Sequence, residues 1–113
     1  MLKVTFDEKD NLLTLKLEGH AGQADVGHDI VCASCSILAY TLAQIVKRAT
    51  REGDVKADPV IKLESGDALI ACEPTEECYG TLKSAYIYSQ IGYELLAYNF
   101  PQYVGLKPFE MAE

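Results

Sequence analysis

The sequence predicts a two-layer α+β domain, an antiparallel sheet with two helices on one face in the element order ββαββα. Two observations predict it. Alternating apolar runs come in two pairs, each closed by a polar turn, and each pair is followed by a stretch whose apolar residues recur at three and four. Eight glycines and four prolines in 113 residues, with 49% hydrophobic residues, make an ordinary globular composition with enough chain to bury a core. No linker or internal boundary interrupts it, so residues 1–113 read as one domain.

The first hairpin is Leu2, Val4 and Phe6 on one face, then Leu13, Leu15 and Leu17, joined through Asp7 to Asn11. From Asp29 the period turns helical: Val31, Cys35, Leu38, Leu42, Ile45 and Ala49 form a stripe, and Gly53 follows the basic last turn. The first helix is therefore expected over about residues 30 to 52, with Asp29 as its N-cap. Lys47, Arg48 and Arg51 are explained as favourable charge at its C-terminus.

A second extended pair, around Val55 to Glu64 and Ala68 to Glu73, turns at Ser65-Gly66-Asp67, and Pro59 marks its first strand as an edge or a bulge. Pro74-Thr75 opens a second helix, with Thr75 as cap, which is expected to end before Pro101. The tail from about Tyr103 to Glu113 carries no readable element and is expected to be mobile.

A formal charge of -7 disfavours the phosphate backbone, so no direct nucleic-acid partner is expected. No unbroken apolar run of eighteen residues occurs and the N-terminus reads as a strand, so neither a membrane span nor a signal peptide is predicted. The expected compartment is the cytoplasm. There the four cysteines, at 32, 35, 72 and 78, are read as thiols.

The chemistry concentrates in Gly19 to Cys35, which holds both histidines, His20 and His28, and two cysteines. Helical phase puts Cys35 on the core stripe and turns Cys32 about 100° away from Val31, with Ser36 one turn beyond Cys32. With Asp29 as cap, Cys32 falls in the first turn, where the helix dipole favours thiolate. Cys32 is therefore the candidate nucleophile and Cys35 a packing residue.

His20 is the candidate base, because Gly19, Gly22 and Gly27 let the intervening loop bend back toward the helix. His28 adjoins the cap and points elsewhere. Asp29 has two candidate tasks, capping the helix or orienting His20. Taken singly, Cys32 reads equally well as an ordinary small helix residue, and His20 reads first as a solvated loop histidine.

Cys32-Ala33-Ser34-Cys35 also fits the dithiol motif, although a long loop in an antiparallel pattern is not the βαβ setting of that motif. Zinc ligation lacks the paired short spacings of structural sites. No phosphate-binding loop, nucleophile elbow or cofactor motif is present, and no cofactor is expected. The seven tyrosines, concentrated in and after the second helix, read as core and subunit contacts.

The segments "GHA" after a strand and "GHDIVCASCS" opening a helix resemble the signature of the bacterial ribosomal-processing cysteine proteases, the Prp or YsxB-like family. That pattern is Gly-His-Ala, a short loop, Gly-x-Asp-Ile-Val-Cys-Ala and a serine four residues after the cysteine; Phe100-Pro101 is a further similarity. The resemblance implies a homodimeric cysteine endopeptidase that trims the N-terminal extension of a large-subunit ribosomal protein, number twenty-seven. It places the nucleophile on Cys32, the histidine on His20, the motif aspartate on Asp29 and the motif serine on Ser36. Cys35 stands where the family more often has an aliphatic residue. A dithiol oxidoreductase and a noncatalytic ribosome-associated dimer module are the competing functions.

Overall fold

The computed structural model describes residues 1–20 and 26–110, with side chains described again from Ile30 onward. The first hairpin joins β1 (Leu2–Lys9) to β2 (Leu12–Glu18). Its strands run further than the sequence predicted, because Asp10 and Asn11 take positive φ of 51° and 67° and close the hairpin in a two-residue turn. Asp and Asn tolerate that region best among residues with a Cβ.

The second hairpin joins β3 (Val60–Glu64) to β4 (Asp67–Cys72) through Ser65 and Gly66, the latter at φ +74°. Val55, expected to begin the strand, makes only an isolated bridge to Pro74. β4 pairs with β2 rather than leaving β3 beside it, and the register sets Glu18 opposite Asp67.

The tail corrects the sequence reading twice. Residues Val104–Lys107 form β5, which lies parallel to β1 and makes the sheet mixed, in the order β3-β4-β2-β1-β5. A buried Val104 anchors it, and the Leu2 N–H donates to the Tyr103 carbonyl at 2.9 Å. Phe109 then lies against Phe6 and Tyr86, under the Lys83 ammonium at 3.8 Å, so the segment after β5 is packed rather than loose.

One sheet face, with Val4, Phe6, Leu13, Leu15 and Ile70 buried, is covered by α1 (Val26–Arg51) and α2 (Tyr79–Asn99). In α1 the buried stripe is Val31, Cys35, Ala39, Leu42, Ala43, Val46 and Ala49, whereas Ile45, placed on the stripe by sequence, is exposed. A helix turns 100° per residue, so a strict three-four count drifts over five turns and Val46 takes the inward place. Over Ile30–Arg51 this helix is long and apolar enough to cross a membrane, which counting unbroken apolar residues did not register. In the fold its apolar stripe is the core contact.

Thr75 is not the cap of α2. Its hydroxyl accepts from the Cys78 N–H at 3.3 Å, closing a turn just ahead of a helix whose N-cap is Cys78. Inside α2, Tyr86 and Tyr93 are fully buried and each hydroxyl reaches a backbone carbonyl, Ile70 and Cys35 respectively, both at 3.0 Å. Two large side chains thus enter the core without an unsatisfied polar atom.

Candidate active site

The end of β2, the β3–β4 turn and the N-terminal half of α1 enclose a cavity of about 290 Å³. Its polar and sulfur-bearing lining is His20, Cys32, Cys35 and Ser36; Leu2, Leu17, Ala39, Tyr40 and Leu63 give it an apolar floor, and residues 64–68 complete it. The structure therefore brings His20 to the same cavity as Cys32 and Ser36, which lie 12 and 16 positions further along the chain. Sequence reasoning found these three. It did not find Tyr40, Leu63 or the β3–β4 turn, because their nearness depends on the β2–β4 register and on how α1 crosses it.

The two helix cysteines differ as helical phase predicts. Cys32 is exposed and Cys35 is 5% exposed. Burial, then the neighbouring Cys32, pushes the Cys35 thiol up to about 12, so at neutral pH it is a protonated packing group. All four cysteines are thiols. A pair with one partner held so firmly in the thiol form is poorly set for dithiol exchange, which needs an accessible thiolate.

Cys32 does not sit in the first turn of α1. The first helix begins at Val26, not near residue 30, so Cys32 is its seventh residue, and the unpaired N–H groups at the helix start belong to residues 26–29. Asp29 is the fourth helical residue and does not occupy the N-cap, and Gly27 lies within the helix rather than in a bending loop. A single glycine costs a helix only about 1 kcal/mol, which tertiary packing of a 26-residue helix overrides. The use of Asp29 to orient His20, and the divergence of His28, concern side chains outside the described ones; Gly22 is also outside the described residues.

Gly19 is placed where only glycine fits. It has φ +89°, its N–H donates to the Gly66 carbonyl at 3.0 Å, and a Cβ there would fall 2.8 Å from the Met1 carbonyl oxygen. This corner turns the chain out of β2 and projects His20, which is exposed, toward the cavity. Among the described residues no cluster of His, Cys, Asp and Glu is arranged to hold a metal ion.

In this α+β fold a helix-borne thiol, Cys32, and an imidazole, His20, line one open cavity, the residue types that thiol nucleophilic catalysis uses. The chain belongs to the cysteine protease Prp family, whose model matches residues 1–104. Among solved structures it is similar to SMU.848 from Streptococcus mutans, at 24% identity and TM-score 0.68, over 97% of this chain and 96% of that one. It is also similar to the ribosomal processing protease Prp from S. aureus. The substrate-peptide complex aligns at 15% identity and TM-score 0.68, and the complex with a covalently linked product peptide at 16% and 0.67; each covers 96% of this chain and 99% of that one. Among curated proteins no match is found.

Proposed function

We propose that this chain, one cysteine-protease-like domain, is an endopeptidase that removes the N-terminal extension of large-subunit ribosomal protein number twenty-seven, with Cys32 as nucleophile and His20 as its proton-transfer partner. The observation that carries the reading is that His20 and Cys32 line the same cavity, which is open and apolar-floored as a peptide side chain requires. Membership of the Prp family supports the peptidase class, and the peptide complexes of the S. aureus protease support a peptide as substrate.

The Cys32 thiolate adds to the scissile carbonyl carbon and forms the C–S bond of a tetrahedral intermediate. As that intermediate collapses, the C–N bond breaks and His20, protonated by the departing thiol proton, gives the proton to the leaving amine. Water then attacks the thioester with His20 as base, releasing the carboxylate product and restoring the thiol. Ser36, one turn beyond Cys32 and on the cavity wall, is a hydrogen-bonding group for substrate or thiol. No cofactor is required by this chemistry.

The enzyme acts in the cytoplasm as a homodimer without touching nucleic acid directly. The exposed apolar side chains Ile37, Tyr40, Tyr88, Ile91, Leu95 and Tyr98 support the dimer, and the charge of -7 supports the absence of a nucleic-acid contact. The test is incubation with a synthetic peptide spanning the extension junction, followed by mass spectrometry. A single internal cut is expected, and an intact peptide under conditions where the protein is folded would contradict the proposal.

A further inference from the structure

The imidazole of His20 occupies the space in which a side chain at position 66 would stand. A Cβ added to Gly66 would fall 2.6 Å from His20 Cε1 and 2.6 Å from Nε2, with Cδ2 at 3.4 Å. Real Cβ atoms do not approach other atoms so closely, so either the ring or the substituent must leave. The placement is not accidental to one contact. The β2–β4 register sets Glu18 opposite Asp67, the Gly19 N–H donates to the Gly66 carbonyl, and the next residue along is His20. Gly66 is thus tied to the backbone that carries the histidine as well as to its ring.

We infer that Gly66 is a positioning residue for His20, its bare Cα forming the seat against which the imidazole rests at the cavity; the inference builds on the assignment of His20 to proton transfer. Two properties of Gly66 have to be separated. Its φ of +74° favours glycine whatever lies nearby, whereas the missing Cβ matters only because of the ring. Gly53 provides the control, with φ +78° and nothing within 4 Å of an added Cβ. The atoms in the way at position 66 are the far end of an exposed side chain, which can swing aside. A side chain there therefore displaces the imidazole while the hairpin keeps its fold.

Asparagine is the substitution of choice, since it accepts positive φ better than alanine. Gly66→Asn is expected to lower kcat on the junction peptide at least about tenfold, the scale of losing a well-placed acid-base group, with a smaller change in KM. Its melting temperature should fall no further than that of Gly53→Asn, which retains activity. The Cε1 proton resonance of His20, one of only two histidines, should move in Gly66→Asn and stay in place in Gly53→Asn.

Cleavage by Gly66→Asn within about twofold of the parent, or a loss of kcat matched in Gly53→Asn, overturns the inference. His20→Ala separates the levels. If it is inactive while Gly66→Asn is normal, only the seat is wrong; if His20→Ala cleaves at full rate, the role of His20 fails and this inference with it.

Discussion

Tyr93 donates its hydroxyl to the backbone carbonyl of Cys35 across 3.0 Å, joining the middle of α2 to the turn of α1 that follows Cys32. The ring is fully buried and stacks at a tilt against Phe6, with centroids 5.9 Å apart. Burial, with the Cys35 sulfur beside it, holds the phenol far above its ordinary range, so it remains a donor at every usable pH.

Tyr93→Phe removes this bond without orphaning the carbonyl, which keeps its helical partner. The expected cost is about 1 kcal/mol in urea unfolding with the slope unchanged. A loss beyond about 3 kcal/mol would mean that the hydroxyl organises more of the α1–α2 contact than one bond.

Thiol reactivity should follow burial. Cys35 is raised to about 12 and Cys72 is raised by burial, whereas Cys32 is exposed. Native-state alkylation with iodoacetamide at mildly alkaline pH, read by peptide mass spectrometry, is expected to label Cys32 first and leave Cys35 and Cys72 unlabelled until the chain unfolds. Early labelling of Cys35 would contradict its packing role.

The acid limb of stability should carry the signature of Glu8. Burial raises its pKa, but hydrogen bonds from Lys83 and Tyr79 and the Lys83 charge outweigh that and leave it lowered. A carboxyl with a depressed folded-state pKa contributes stability that is fully present above its unfolded value, near 4.5, and is lost as pH falls through the folded value. Glu8→Gln is therefore expected to flatten the fall in melting temperature below about pH 4.5 and to lower stability at neutral pH. An unchanged acid limb would show that Glu8 does not carry it.

The local patterns were legible in the sequence and the nonlocal ones were not. Alternation found both hairpins, and helical phase separated exposed Cys32 from buried Cys35. The helix start was misplaced because Asp29 has the chemistry of a cap and Gly27 that of a loop, yet both lie inside a helix held by its packing. β5 was missed because four residues after a proline show too little alternation to stand out, and its strand character comes from the edge of β1. The seating of His20 on Gly66 was invisible for the same reason: it exists only once Glu18 pairs with Asp67.

The most direct measurement compares Cys32→Ala with Cys35→Ala on the junction peptide. Removing the buried sulfur should cost about 1 kcal/mol of stability and leave most of the cleavage rate, whereas Cys32→Ala should fold normally and produce no cleavage. Equal loss in two folded variants, or persistent cleavage by Cys32→Ala, would contradict the assignment of Cys32 as the nucleophile.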